Sequence, residues 1–338
     1  MTDSNELPPL SNELIDPFGR KVDYLRLSVT DRCNLRCTYC MAEDMTFLPR
    51  QQILSLEELR DVASAFAELG VRKIRLTGGE PLIRRDIIKL VSAISDLPSL
   101  DEVTMTTNGM LLPKMAQPLK DAGLNRLNIS IDSLRPDRFK ALTRLGDLDV
   151  WHKGIRAAKA ANFAKLKLNA VILAGFNDEE VLDLARYAID NQMDISFIEE
   201  MPLGEISSHQ RVNTQITSQA LRDQLETEFD LTDSVETTGG PSRYVKVAGS
   251  DSKIGFISPM SNNFCDSCNR VRMTAEGRLL LCLGNEQSMD LRAVIRSHPG
   301  DSGLLRAKIL EALQSKPERH EFDPNRTDIV RFMNMTGG

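Results

Sequence analysis

The run Leu25-Arg26-Leu27-Ser28-Val29-Thr30-Asp31-Arg32-Cys33-Asn34-Leu35-Arg36-Cys37-Thr38-Tyr39-Cys40 carries a short β-branched stretch straight into a loop with three thiols. Outward from it, similar stretches recur at Val71–Leu76, Glu102–Thr106, Arg126–Ile131, Leu166–Leu173 and Ile195–Ile198. Between them lie segments with helical periodicity: one from Ser55 towards Gly70, then Asp86–Ile94, Lys114–Ala122, Lys153–Ala161 and Asp178–Ala188. Ser55 and Glu58 have the spacing of a capping box, and Leu59, Val62, Ala63, Phe66 and Leu69 form the apolar stripe behind it. Strands alternating with helices predict an α/β chain with a parallel sheet. The expected form is a partial (β/α)6 TIM-like barrel over residues 23–202, with an open doubly wound sheet as runner-up. Either architecture binds ligands at the carboxyl ends of its strands. There the sequence places the thiols, Thr77-Gly78-Gly79-Glu80-Pro81 and Thr107-Asn108-Gly109.

Around this unit the pattern changes. Residues 1–22 are polar, contain three prolines and read as a loose arm. After Pro202 the alternation stops, and residues 203–338 read as a C-terminal α+β extension. It has a helix at Ser218–Phe229, a linker-like turn at Thr237–Pro241 and short strands at Tyr244–Val247 and Ile254–Ile257. A hairpin joins Val271–Thr274 to Arg278–Leu283, helices follow at Ser288–Ser297 and Leu304–Leu313, and Thr336-Gly337-Gly338 reads as a flexible end.

With 338 residues the chain can bury a full core without disulfides. It has 42 Lys and Arg against 48 Asp and Glu, a net charge of −6, which argues against coating nucleic acid or an anionic membrane. No apolar run is long enough to span a bilayer, and the acidic N-terminus is no signal peptide. The expectation is a cytoplasmic protein. Four His in no ligand-like spacing make His-based chemistry a poor first choice. The six Cys, in contrast, fall into two sets of three: Cys33, Cys37, Cys40 and Cys265, Cys268, Cys282. Clustered thiols in a reducing compartment point to metal or redox ligation.

Three thiolates on one loop can hold three irons of a cubane cluster and leave the fourth open to a small molecule. Zinc is the competing reading, but a structural zinc closes its shell with four ligands. The C-x3-C-x-Tyr-C run, followed after the second strand by Gly78-Gly79-Glu80-Pro81, resembles the radical S-adenosylmethionine (SAM) superfamily. That resemblance implies a [4Fe–4S] cluster whose open iron chelates SAM and whose electron cleaves it to a 5′-deoxyadenosyl radical. It implies SAM contacts from Tyr39, Gly79, Glu80, Asn108, Ser130 and Met201.

The set Cys265-x2-Cys268-x13-Cys282 has rival readings: a zinc completed by His298, a redox dithiol, or core thiols. A second open cluster is favoured by its neighbours. Arg270 and Arg272 alternate around Val271, so on a strand both guanidiniums share a face, and two forked cations suit a polyphosphate. With this second set the resemblance narrows to the GTP-cyclising radical SAM enzymes of molybdenum cofactor biosynthesis. It implies two [4Fe–4S] clusters and GTP contacts from Arg26, Arg75, Thr106, Lys167, Arg270, Val271 and Arg272, with Arg270 and Arg272 also taken as catalytic. The implied reaction joins ribose C3′ to guanine C8, giving (8S)-3′,8-cyclo-7,8-dihydroguanosine 5′-triphosphate. Implied partners are an electron donor such as flavodoxin or ferredoxin, and cyclic pyranopterin monophosphate synthase as the next enzyme, with no nucleic acid or membrane and a monomer or homodimer. The chain has no G-x4-G-K-[ST] loop, which counts against an ordinary GTPase. A radical SAM peptide maturase with an auxiliary cluster is the alternative, and an iron–sulfur carrier or zinc-stapled interaction protein is the reading from another class.

Overall fold

A computed structural model describes residues 13–204, 206, 209, 211–323 and 329–337. The reading of residues 1–12 as an arm, and of Gly338 as part of the tail, lies outside the described residues. Six strands follow in order: β1 (Tyr24–Ser28), β2 (Lys73–Thr77), β3 (Glu102–Thr107), β4 (Arg126–Ser130), β5 (Lys165–Ile172) and β6 (Asp194–Glu199). Each pairs in parallel with the next. Six more come from the C-terminal region: β7 (Leu231–Asp233), β8 (Arg243–Val247), β9 (Lys253–Ile257), β10 (Arg270–Met273), β11 (Arg278–Leu280) and β12 (Ser288–Asp290). The sheet order is β12-β11-β10-β1-β2-β3-β4-β5-β6-β9-β8-β7.

This is the expected partial barrel, and the order adds something the periodicity did not disclose. β10 lies parallel beside β1, and β9 lies parallel beside β6. The region after residue 203 therefore extends both edges of the one sheet. Parallel strands need covered faces; β2 is buried at every position, and helices Leu56–Glu68, Ile87–Ser95, Leu112–Asp121, Leu148–Ala160 and Val181–Asp190 supply the cover. The capping box forms as read: Ser55 Oγ accepts from the Glu58 N–H at 3.1 Å, and Glu58 accepts from the Ser55 N–H at 2.7 Å. Among the described residues no helix is long and apolar enough to cross a membrane.

Four local points differ from the sequence reading. A helix at Pro136–Thr143 was not anticipated, and the segment read as a helix from Ser288 starts with β12, its helix beginning at Leu291. Residues 13–22 are tied down: Leu14 is in the core, Ile15 bridges to Lys21, and buried Asp16 pairs with Arg20 at 2.6 Å. Finally, Met333–Thr336 form a short helix in which Asn334 and Thr336 are buried.

Core packing fixes the strand ends. Trp151, fully buried, donates its indole N–H to the Ser130 carbonyl at 3.1 Å. A Cβ on Gly154 would lie 2.4 Å from the Gly109 carbonyl. The helix Leu148–Ala160 thus sits directly on the Asn108-Gly109 turn after β3.

Candidate active site

One cavity of ≈ 280 Å³ opens among the strand ends, and both thiol sets line it. Also on its wall are Tyr39, Gly79, Asn108, Ser130, Met201, Arg26, Thr106, Arg270, Val271 and Arg272. Three residues expected at the site do not line it: Glu80, Arg75 and Lys167. Val271 borders the cavity while its side chain belongs to the core, as strand alternation requires.

The N-terminal thiols sit on the loop after β1. Cys33 Sγ accepts from the Leu35 N–H at 3.3 Å and from Asn108 Nδ2 at 3.8 Å, and Cys40 accepts a backbone N–H from Asn334. Burial pushes Cys33 up to about 11, Cys40 up to about 12 and Cys37 well above the ordinary thiol value. These thiols carry their protons until a metal centre displaces them. Gly79 is needed because a Cβ there would lie 2.3 Å from the Arg32 carbonyl, so only glycine lets the β2 turn pass under the cysteine loop. Glu80 lies behind that turn. Its carboxylate accepts from Leu82 N (3.0 Å), Thr107 Oγ1 (2.8 Å) and Asn108 N (2.7 Å), fixing the Asn108 turn. Burial outweighs those bonds and raises Glu80 to about 7.

At the other end, Arg26, Arg272 and Arg75 are register partners across β1, β10 and β2. Burial is the main cause that holds Arg26 down at about 10 and Arg272 well below the usual guanidinium range, with neighbouring Arg charges adding to it. Arg75 lies one layer deeper, bonded to Tyr24 and, at 3.3 Å, to Thr106 Oγ1. Lys167 is buried beside Tyr244, its ammonium 2.7 Å from the phenol oxygen. The tail reaches this place: the Gly337 carbonyl accepts from Arg26 at 2.8 Å and from Arg272 at 3.5 Å. Gly337 has φ of 82°, and a Cβ there would lie 2.2 Å from Thr77 Oγ1, so both conformation and space call for glycine.

Several residues of the site escaped sequence reading. Tyr24 and Lys73 lie two positions before Arg26 and Arg75, a period-2 signal that could have found them. Asp132 accepts from Tyr39 Oη at 2.7 Å and from the Val171 N–H at 2.9 Å, holding the ring in the wall. Asn334 donates to the Asp31 carbonyl at 2.8 Å. Lys316, buried against the C-terminal thiols, carries no sequence signal at all.

The donor chemistry fits two iron–sulfur clusters. Six free thiols edge the cavity in two sets of three. Among the described residues no three His, Cys, Asp or Glu side chains converge tightly enough to grip a single ion. A fourth ligand for the second set is missing in both places one could look. His298 is exposed at a helix end and bonded to Ser297. His320 lines the cavity, but Nε2 bonds the Pro259 carbonyl and Nδ1 accepts from the Phe322 N–H.

Comparison with known proteins agrees with this geometry. Residues 27–188 match the Radical SAM superfamily, and residues 193–322 match Molybdenum Cofactor Synthesis C. Among solved structures, Streptococcus suis SuiB bound to S-adenosylmethionine superimposes with a TM-score of 0.56 at 16% identity, covering 93% of this chain and 77% of that one. A second SuiB structure gives a TM-score of 0.59 at 15% identity, covering 94% and 78%. At that identity the likeness concerns the fold alone. Fold and site together define a radical SAM protein with an additional cluster site.

The particular family follows from nearer relatives. GTP 3′,8-cyclase of Pseudomonas entomophila is 60% identical over 96% of this chain and 98% of its own length. The Saccharophagus degradans enzyme of that name is 57% identical over 97% and 99%, and GTP 3′,8-cyclase 2 of Pseudomonas aeruginosa is 56% identical over the same shares. The chain belongs to the GTP 3′,8-cyclase family.

Proposed function

We infer that this chain is a radical SAM GTP 3′,8-cyclase, converting GTP to (8S)-3′,8-cyclo-7,8-dihydroguanosine 5′-triphosphate in the first step of molybdenum cofactor biosynthesis. The observation that carries the reading is one cavity wall bearing two three-thiol sets and, between strands β1 and β10, the pair Arg26 and Arg272. Cys33, Cys37 and Cys40 would hold one [4Fe–4S] cluster and Cys265, Cys268 and Cys282 the other. Bound together with SAM, such a cofactor supplies the one-electron chemistry that activates an unreactive C–H bond.

The protein's share is placement and charge. Tyr39, Gly79, Asn108, Ser130 and Met201 line the cavity that the first thiol set also lines, and they suit SAM. Arg26, Arg270 and Arg272, with Thr106 on the wall and Arg75 and Lys167 beneath, offer a polyphosphate forked donors in a site with little water to compete. Glu80 acts through the Asn108 turn, behind the wall. No imidazole base is required, which suits a wall whose His320 has both nitrogens engaged. We propose flavodoxin or ferredoxin as electron donor, a cytoplasmic setting, and transfer of the product to cyclic pyranopterin monophosphate synthase. The peptide-maturase alternative is disfavoured, because the likeness to SuiB stops at the fold while the arginines call for phosphate.

The test is anaerobic purification with iron, sulfide and zinc analysis, followed by turnover with SAM, GTP and reductant. About eight irons per chain and formation of 5′-deoxyadenosine together with the cyclised nucleotide are expected. About four irons with one zinc, or SAM cleavage indifferent to GTP, would overturn the reading.

A further prediction concerns Glu80. Its carboxylate serves donors on both oxygens, so Glu80→Gln sets an NH₂ group against an N–H or O–H donor and shifts the Asn108 turn. SAM affinity should fall about 10–100-fold, the value of a charged hydrogen bond lost in a buried place. Because burial raises Glu80 to about 7, wild-type SAM affinity should also decline as pH falls through that value, while the Gln variant loses the dependence. Equilibrium dialysis against labelled SAM between pH 6 and about 8.5 checks both, a range chosen to bracket the titration.

A further inference from the structure

Lys316 follows the helix Ser302–Leu313 and is buried to 3% exposure among the C-terminal thiols. Its ammonium lies 3.6 Å from Cys268 Sγ, 2.7 Å from the Leu281 carbonyl and 3.2 Å from the Arg270 carbonyl. These acceptors join the loop before β10, the start of β10 and the residue before Cys282. Among the described residues no carboxylate lies within ion-pairing distance of it. A buried cation without an anion is costly, so the site is built around a negative charge that the side chains alone do not supply.

Its placement is enforced from the other side. Arg20 donates to the carbonyls of Pro317 (2.7 Å), Glu318 (2.6 Å) and Cys265 (2.8 Å), while Asp16 holds the guanidinium. The turn 16–20 thereby clamps the residues after Lys316 to the first thiol of the set.

We propose that Lys316 is the resident counter-cation of the C-terminal thiol set, a positioning residue that holds the Cys268 sulfur and raises the reduction potential of the cluster carried there. The proposal rests on the two-cluster reading above. Three thiolates each bring a negative charge, and the potential of such a cluster is set by its net charge and by hydrogen bonds to its sulfurs. Lys316 supplies both: a positive charge that favours the reduced form and an N–H donor to sulfur. Arg270 and Arg272 line the cavity, whereas Lys316 acts on the thiol set from behind its wall.

The test uses anaerobically reconstituted full-length protein, wild type and the variants Lys316→Met, Lys316→Gln and Lys316→Arg. Reductive titration followed by electron paramagnetic resonance gives the midpoint of each cluster, and the N-terminal one serves as internal reference. The Met and Gln variants should shift the second midpoint to more negative values with the first unmoved, and Arg should restore it. An unshifted second midpoint in either neutral variant overturns the proposal, even if iron loading falls, since that would be a scaffold role alone. If Met and Gln do not load the second cluster while Arg does, charge is again the requirement and the proposal stands. Failure of all three variants overturns it, because shape would then matter more than charge. Wild-type protein with about four irons would instead overturn the two-cluster reading itself.

Discussion

Replacing Cys282 by Ala is expected to leave about four irons per chain, to leave SAM binding unchanged, and to slow cyclisation by at least about 100-fold. Cys282 follows β11, and the segment from Arg278 to Cys282 is attached through β10 to β1. It lines the same cavity as Cys33, Cys37 and Cys40 but belongs to a different segment of the chain. A site with two thiols left cannot complete a cubane, so the C-terminal cluster should be lost outright. The first thiol set keeps its own supports, the Leu35 and Asn108 bonds to Cys33. SAM cleavage should therefore persist, but uncoupled from product, because the second cluster is what would fix the base relative to the ribose. A misplacement of about 1 Å is enough to cost a factor of about 100 in such a reaction. The measurements are iron content, SAM binding, and the ratio of cyclised nucleotide to 5′-deoxyadenosine. Full turnover with four irons would show that the second thiol set takes no part in the reaction.

How far the molecule could be read in advance follows the physics of each signal. The six βα units were legible because strand and helix differ in period, and all six strand readings fall within two residues of β1 to β6 at their starts. The thiol sets were legible because Cys is rare and local spacing survives folding. Pairing was not legible. Nothing in Ile254–Ile257 or Val271–Thr274 says that one lies against β6 and the other against β1, since period 2 fixes a face but not a neighbour. Long-range polar partners were hidden for the same reason. Arg20 meets Cys265 across 245 residues, and Lys316 meets Cys268 across 48. The placement of Glu80 shows the limit of a motif: the residue was correctly located after β2, but its role depends on Thr107 and Asn108, which only the β2–β3 pairing brings beside it. The tail is a similar case. By composition two glycines and a threonine look like a free end, and only the family resemblance suggests a tail that reaches into the active site; in the fold Thr336 is buried and Gly337 fits where a side chain would strike Thr77.

The Arg272→Met variant should bind GTP about 10–100-fold more weakly and yet be more stable than the parent when nucleotide is absent. The two effects have one origin. Burial holds Arg272 well below its ordinary value, and the nearby charges of Arg26 and Arg270 depress it further. A base whose value is depressed on folding makes the charged form a burden on the folded state at neutral pH. Methionine keeps much of the stem and removes that burden, so the melting temperature of the nucleotide-free protein should rise. A polyphosphate turns the same repulsion into attraction, and the parent should gain more stability from added GTP than the variant does. Arg26→Met should behave alike. Since Arg26 and Arg272 share the Gly337 carbonyl, the double variant should lose less affinity than the product of the two single losses. Thermal unfolding with and without GTP, together with nucleotide binding by dialysis, tests the set. A variant that is destabilised without GTP but gains as much from GTP as the parent would mean that Arg272 holds the tail and not the phosphates.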